Sequence, residues 1–524
     1  MLETLSYLSF LGDPYVLLIM SVGSLAGVFL GAMPGVSPTM AVALLVPMTF
    51  YMDPRTGLIL LGTVYSSAVA GGGITAILIN VPGAPASIAT MIDGYPMAKK
   101  GRAWEALCIT FWYSMIGGIV GVLAMILFSP ILAKFAMNFG PAQLFWVTIF
   151  GITIIAGLSG GNVLKGLFVG LFGMLISCIG YSPMLGEPRY VFHDVLTSGI
   201  AIVPVLVGMF AIPQVLDLAE NLFNLSGENR LKLMQQADLG GARPKGTLLK
   251  VILNIRRWWK TVLCGLGIGL GVGVIPGVGA NAVGLIAYDY AKKMSNNPEE
   301  WGKGEPQGVV ASETANNTTV GPALIPLLTL GVPGSPTAAA LLGGLLIHGL
   351  FPGPELFTKN REITLTFMAA LLAAQVFMCL AGLLISRYSQ HITRVPALIM
   401  IAAVSVCAVV GSYGVQNSMD DVFIMLGLGL MTYALIKLDF PVAPMVLGVV
   451  LGPIAEENFL RGKLIAEAGD GMFQFFFTGS LNIVFIIICV LSVLWGVWAE
   501  YRAYKKKNST NNIGTSDLAG GVGA

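Results

Sequence analysis

Uninterrupted apolar stretches recur along the whole chain, at residues 17–33, 108–128, 144–158, 196–216, 365–385, 398–410 and 481–498, with polar connections between them. A helix needs roughly 20 apolar residues to cross the hydrocarbon of a bilayer. Strands of a membrane barrel alternate apolar and polar positions instead. Continuous blocks therefore predict an all-α polytopic membrane protein with roughly ten to twelve spans.

Several blocks are interrupted, and the interruptions are paired. Pro34-Gly35-Val36 recurs as Pro276-Gly277-Val278, each after a Gly-studded stretch that carries Gly23, Gly27 and Gly31 or runs from Gly265 to Gly273. Ser66-Ser67-Ala68-Val69 aligns with Asn317-Thr318-Thr319-Val320, and the same gapless alignment sets Val81-Pro82-Gly83-Ala84-Pro85 on Val332-Pro333-Gly334-Ser335-Pro336. Motifs in the same order at similar spacing predict a duplicated membrane unit. The expected organisation is a first repeat at 1–216, a basic cytoplasmic linker at 217–260, a second repeat at 261–500 and a disordered cytoplasmic tail at 501–524. Inverted repeats are expected, although linker and tail are both basic and so read as cytoplasmic. An extra span or surface helix near residues 245–260 would reset the orientation; parallel repeats are the alternative.

Backbone groups freed by Pro or Gly inside lipid must find partners in protein or in a watery cavity. Paired breaks in two halves therefore point to a transporter's binding site. Helix N-termini there attract carboxylates, and helix C-termini with unwound carbonyls favour Na⁺. The short, small-residue stretches beyond both Pro-Gly-x-Pro turns predict re-entrant hairpins. Candidate substrate-binding residues are Gly35, Ser37, Thr39, Ser66, Ser67, Gly83, Gly277, Asn281, Asn317, Thr318, Gly334 and Ser335. All are neutral, which suits a site that must release an anion as well as bind it. The blander reading is helix packing through small residues. It is preferred for Gly23-x-x-x-Gly27-x-x-x-Gly31, Gly117-x-x-x-Gly121 and Gly166-x-x-x-Gly170.

Composition narrows the class. Only 11% of residues are charged and 55% are hydrophobic, against about 25% charged in soluble domains. A net charge of +2 implies no nucleic-acid partner. Basic runs at 221–260, 99–102, 292–303 and 502–507 mark cytoplasmic loops. The N-terminus lacks the basic region of a cleaved signal, so the first helix is expected to stay. The six cysteines sit in apolar blocks with no Cys-x-x-Cys pair and read as small buried hydrophobes.

Ionisable groups within apolar surroundings are few. Glu313 is the clearest, as a proton relay, a cation ligand or a structural partner; the rival reading is an interfacial helix cap. With Asn316 and Thr319 it forms the candidate ion-coupling set. Asp93 and His348 follow the two Pro-Gly turns and are expected in interfacial loops; Lys165 opens a span and can snorkel. The three histidines suggest no metal site beyond Na⁺ at the helix breaks. Gly157-Leu-Ser159-Gly160-Gly161 fits the Gly-x-Ser-x-Gly of a serine hydrolase. No histidine lies mid-span as its base, so a loop is preferred over an intramembrane serine protease. There is no Walker-type loop. Ion coupling rather than an enzymatic activity is expected, with an anion channel as the alternative.

The residues also carry a family likeness. Gly31-Ala-Met-Pro-Gly-Val-Ser-Pro-Thr39, Tyr65-Ser-Ser-Ala-Val-Ala-Gly-Gly-Gly73, Asn80-Val-Pro-Gly-Ala-Pro85 and Ile92-Asp-Gly-Tyr-Pro96 resemble the large membrane subunit of tripartite tricarboxylate transporters. So do Ile275-Pro-Gly-Val-Gly279, Glu313-Thr-Ala-Asn-Asn317 and Leu330-Gly-Val-Pro-Gly-Ser-Pro336. The likeness covers residues 10–500 or so. It implies an inner-membrane permease with two partners, a periplasmic solute-binding protein and a small four-helix membrane subunit. It implies di- or tricarboxylate cargo such as citrate, sometimes aromatic acids, and no cofactor beyond Na⁺ or H⁺ as coupling ion. The hairpins look like those of elevator-type transporters. By that analogy they belong to a moving part, with the apolar spans 108–128 and 365–385 in a fixed scaffold.

Overall fold

The structure, a computed structural model, describes residues 4, 6–158, 163–182, 184–197, 199–224, 243–275, 279–388, 397–469 and 471–519. The principal helices, in order, are α1 (Pro14–Gly31), α2 (Pro38–Thr49), α3 (Pro54–Ile79), α4 (Ile88–Lys99), α5 (Ala103–Ala136), α6 (Pro141–Leu158), α7 (Val163–Ser177), α8 (Ile202–Asn224), α9 (Thr247–Leu253) and α10 (Ile255–Gly273). There follow α11 (Gly279–Lys293), α12 (Pro306–Thr318), α13 (Val320–Leu330), α14 (Pro336–Ile347), α15 (Arg361–Arg387), α16 (Ala397–Gln416), α17 (Met419–Lys437), α18 (Val442–Glu467) and α19 (Ser480–Ala519). A two-residue hairpin pair, β1 (Gly180–Tyr181) and β2 (Pro188–Arg189), is the sheet among the described residues. The fold is thus an all-α polytopic membrane protein.

Nine described helices are long and apolar enough to cross a membrane, and Pro141–Ile154 and Val163–Ser177 are apolar but shorter. The chain forms two compact units, one of residues 1–138 and 200–433, the other of 139–199 and 434–524. Each draws on both halves of the sequence.

In the larger unit α3 is enclosed on every face, with all residues from Thr56 to Ile79 buried. The run α12–α13 is equally enclosed from Gly308 to Thr329. Small residues on the neighbours make this enclosure geometrically feasible. Gly23, Gly27 and Gly31 of α1 lie on Leu60, Val64 and Ala68 of α3, and a Cβ on Gly31 would come 2.2 Å from the Ala68 carbonyl oxygen. At the aligned positions Gly265, Gly269 and Gly273 of α10 lie on Ala311, Ala315 and Thr319. From another side, Gly117 and Gly121 of α5 sit against the Thr314 and Thr318 carbonyls. Phe367 and Leu371 of α15 close on Gly62 of α3. These stripes are close-packing surfaces, and Gly166 of α7 does the same against Ala156 in the smaller unit.

Both Val-Pro-Gly-x-Pro turns use the same backbone bonds. α3 ends on Asn80 at φ 57° and α13 on Gly331 at φ 76°, both left-handed caps. Val81 N–H donates to the Thr75 carbonyl at 3.4 Å, and Val332 N–H to the Pro326 carbonyl at 3.2 Å. Gly83 N–H reaches the Gly72 carbonyl at 3.4 Å, and Gly334 N–H the Ala323 carbonyl at 3.2 Å. Each glycine lies so near backbone that a Cβ would meet an atom within 2.8 Å. Beyond the turns, α4 and α14 have 12 residues each. At about 1.5 Å per residue they rise roughly 18 Å, well short of a ~30 Å bilayer core. They pack crosswise: α14 lies on α2, and α4 with the preceding turn Pro85–Ser87 lies on α11.

The smaller unit packs α7 and α6 on α18, and α19 on α6. Gly173 sits on the Met445 carbonyl and Gly448 on the Gly170 carbonyl. Arg189 forks onto both carboxylate oxygens of Glu456.

The structure gives several of the expected segments a place. The stretches 108–128 and 365–385 fall in the same compact unit as the breaks, where α5 and α15 pack on α12 and α3. Their uniform apolarity reflects partial burial in protein as well as lipid. Residues 501–519 continue α19, and the Ala, Glu, Arg and Lys after Trp498 favour helix. The stretch near 245–260 holds the short helix α9 and the start of α10. Cys108, Cys379 and Cys489 are buried, but Cys178 and Cys264 are only partly so and Cys407 is exposed on α16. The segments 276–278 and 159–162 lie outside the described residues.

Gly31→Val should cost about 1–3 kcal/mol, because its Cβ would enter the Ala68 carbonyl. Gly271→Ala on α10, with no atom within 4 Å of its Cβ, should be neutral or stabilising by up to about 1 kcal/mol. Thermal melts of the detergent-purified variants check both.

Candidate functional site

Two helix starts meet within the larger unit. Ser37 caps α2 by accepting the Met40 N–H at 3.2 Å, and Ser335 caps α14 by accepting the Ala338 N–H at 3.1 Å. Each serine is followed by a proline at the first helical position and then a threonine. The two threonine hydroxyls, Thr39 Oγ1 and Thr337 Oγ1, lie 3.0 Å apart in buried surroundings. Tyr65 of α3 reaches Ser335 Oγ at 3.1 Å, and Gln214 of α8 donates to Ser37 Oγ at 3.0 Å. Each helix start carries about half a positive charge. Their convergence makes a site that favours an anion without a formal charge on the protein.

A second cluster surrounds Glu313, which is fully buried inside α12 and caps no helix. Its Oε1 accepts from Thr90 Oγ1 of α4 at 2.5 Å and its Oε2 from Ser114 Oγ of α5 at 2.9 Å. Asn317 Nδ2 donates to the same Ser114 at 2.7 Å, and Ser312 lies 3.2 Å from Thr90. Gly73 of α3 stands over the carboxylate, where a Cβ would meet Oε1 at 3.0 Å.

Around these clusters, buried polar atoms lack a hydrogen-bond partner: both amide atoms of Asn316, Oδ1 of Asn317 and the hydroxyl of Ser67. Leaving such a group unmet costs about 1–3 kcal/mol. No group of three or more His, Cys, Asp or Glu that could hold a metal ion occurs among the described residues.

The expected site residues divide by what they touch. Ser37, Thr39 and Ser335 come together at the paired helix starts, with the exposed Gly35, at φ 82°, on the turn leading to Ser37. Asn316, Asn317 and Ser67 present unpaired atoms. Ser66 donates to Gln375 Oε1 at 2.8 Å, Thr318 to the Thr314 carbonyl at 2.6 Å and Thr319 to the Asn316 carbonyl at 2.6 Å, all within the protein. The Gly83 and Gly334 amides are likewise committed to closing their turns. Gly277 and the side chain of Asn281 lie outside the described residues.

Against the expectation of an interfacial loop, Asp93 is fully buried on α4. Its Oδ1 accepts the amides of Gly302, Gly304 and Glu305 at 2.8, 2.7 and 2.9 Å, and its Oδ2 accepts from Tyr288 at 2.8 Å. This one carboxylate pins the loop entering α12, and so the register of Glu313, to α4. His348 lies just past α14, 3.2 Å from Thr49 Oγ1. Burial lowers the pKa of its imidazole, against the opposing pull of Asp53. Lys165 bonds the Leu438 carbonyl at 2.6 Å within the smaller unit.

Thr90, Ser114, Tyr65, Gln214 and Gln375 belong to these clusters although sequence reasoning did not select them. Gln375 had a signal, as the lone amide in an apolar span. Thr90 and Ser114 had none, since single hydroxyls are common in membrane helices and often bond their own backbone.

The larger unit is thus a helical membrane body with neutral polar groups gathered at two paired helix starts. A model of the tripartite tricarboxylate transporter TctA family matches residues 17–447. An uncharacterized 52.8 kDa protein in the TAR-I ttuC′ 3′ region of Agrobacterium vitis is 34% identical over 453 residues, covering 86% of this chain and 87% of that protein. An uncharacterized protein in the TAR-II ttuC′ 3′ region of the same organism is 34% identical over 200 residues, 38% of this chain and 82% of its own length. The chain belongs to the TctA family of tripartite tricarboxylate transporters. It is a multi-pass membrane protein of a transporter family, not an enzyme family, whose members work with partner subunits.

Asp93→Ala leaves four donors without their acceptor and should cost at least about 3 kcal/mol. Hydrogen–deuterium exchange should rise at the amides of Gly302, Gly304 and Glu305 while the smaller unit stays protected.

Proposed function

We propose that this chain is the ion-coupled permease subunit that imports small di- or tricarboxylates, such as citrate, across the bacterial inner membrane. A periplasmic solute-binding protein would deliver the cargo, and a small four-helix membrane subunit would accompany the chain. The observation that carries this reading is the meeting of two serine-capped helix N-termini at Thr39 and Thr337. A carboxylate placed there would accept from hydroxyls and helix-start amides and feel two positive helix ends. Neutral donors would let it go again.

The Glu313 cluster is the proposed seat of coupling, with Asn316 beside it as a ligand in need of a partner. A proton on Glu313, or a Na⁺ bound by amide and carbonyl oxygens, would neutralise charge that the enclosed α12 otherwise carries unpaired. The crosswise packing of α2 on α14 and of α11 on α4 supports inverted repeats. The short helices α4 and α14 support re-entrant hairpins. Every described residue of both clusters lies in one compact unit, as an elevator-type motion requires.

Uptake of labelled citrate or a dicarboxylate, measured with the partner subunits present, tests the reading. Thr39→Val with Thr337→Val should lower uptake roughly tenfold or more, the scale of losing a hydrogen bond to a charged group, without loss of membrane expression. Glu313→Gln should change the Na⁺ or pH dependence more than the substrate affinity. Wild-type uptake in the threonine variant would remove the anion site. Transport indifferent to both ion gradients would mean a channel.

A further inference from the structure

Away from both clusters, the start of α10 carries a feature outside the proposed transport site. A cavity of about 620 Å³ opens between the N-terminal turns of α10, the end of α11 and the loops entering α5 and α12. Its lining includes Arg257, Lys260 and Arg102, with the acidic Glu105 and Glu305. Arg102 is already forked onto Glu105 at 2.8 and 2.9 Å, so those two charges cancel. Glu305 accepts from Gln307 at 3.1 Å as it caps α12. Arg257 and Lys260 form no ion pair among the described residues; Lys260 Nζ lies 5.8 Å from the Trp259 ring. The cavity therefore keeps an excess of positive charge, together with amide and hydroxyl groups of Asn254, Ser295, Asn296 and Asn297.

A second, apolar groove of about 560 Å³ continues from it along α10 and α11. The two share Trp259, Lys260 and Met294, and the groove adds Leu263, Gly267 and Tyr290. Trp259, Leu263, Tyr290 and Met294 are all more than half exposed. Along α10 the text changes at this point from Arg256-Arg257-Trp-Trp-Lys260 to a stretch from Thr261 to Gly273 with no charge. Trp and Tyr beside basic residues at such a change mark a membrane–water boundary. A cationic, hydrogen-bonding cavity at the boundary, opening into an apolar groove on the lipid side, matches an amphiphile with an anionic head.

We propose that this is a binding site for an anionic phospholipid of the bilayer, with the phosphate between Arg257 and Lys260 and an acyl chain along Leu263 and Gly267. Headgroup hydroxyls or a glycerol would meet Asn254 and the 295–297 turn. Basic pockets at the cytoplasmic ends of helices favour such lipids. The occupant would brace α10, whose Gly265, Gly269 and Gly273 rest on the Glu313-bearing helix run. The inference is independent of what cargo the permease carries.

The test uses the full-length chain purified in mild detergent, with retained lipid extracted and quantified by mass spectrometry. The wild-type protein should hold phosphatidylglycerol in excess over phosphatidylethanolamine. R257Q combined with K260Q should retain roughly ten- to thirty-fold less of it. Gly267→Leu should cut retention several-fold with both charges kept; no atom lies within 4 Å of its Cβ, so the helix accepts the change. Thermal melts confirm that either variant is folded. Millimolar inorganic phosphate or glycerol phosphate should displace none of the lipid. Unchanged phosphatidylglycerol in both variants overturns the proposal. Displacement by inorganic phosphate would show a free-anion site, and loss of the lipid on co-expression of the small membrane subunit would show a protein-covered groove; either result also overturns it.

Discussion

Two helix runs with no face left for lipid, α3 and α12–α13, constrain everything else in the larger unit. A polar group inside either one cannot turn to water, and it cannot stay unpaired without cost. Enclosing them takes neighbours whose backbones come almost into contact, which the glycine stripes of α1, α10 and α5 provide. That same closeness forbids larger residues and fixes which rotations of α3 and α12 are allowed. The hydroxyls, amides and single carboxylate they carry are thereby aimed inward by packing, not by their own chemistry. Asp93 then pins the entry of α12, so the position of Glu313 rests on a second buried carboxylate.

Much of this was legible in the residues. Apolar block length called for spanning helices, and the aligned Pro-Gly motifs marked where they stop. Left-handed caps at Asn80 and Gly331 follow from residue types that tolerate positive φ. The Ser-Pro-Thr starts of α2 and α14 could be read as capped helices from their order alone. What could not be read was partnership. Thr39 and Thr337 are far apart in sequence and meet only because helices of opposite halves pack crosswise. Asp93 looked like a loop residue because its four donors come from a segment with no pattern of its own. The packing of α5 and α15 on α12 and α3 could not be read either, because hydropathy does not distinguish a face on lipid from a face on another helix.

The two halves share a backbone plan and differ in side chains, and the difference bears on mechanism. Tyr65 and Asn316 occupy aligned positions, as do Ser335 and Ala84. In one half the tyrosine hydroxyl reaches across to Ser335, so that turn is closed by its own chain. In the other half the aligned serine is alanine, and neither amide atom of Asn316 has a partner. Likewise Gly62 of α3, packed under Phe367, aligns with Glu313, the one carboxylate of α12–α13. A symmetric frame holding symmetric chemistry would bind the same thing twice. One turn thus meets a phenol, while in the other half an unmet amide stands one helical turn from a buried carboxylate; under the proposed reading these would be unlike places, one for an anion and one for a cation. Coupling between unlike charges requires that separation, and the proposed transport reading draws its physical sense from it.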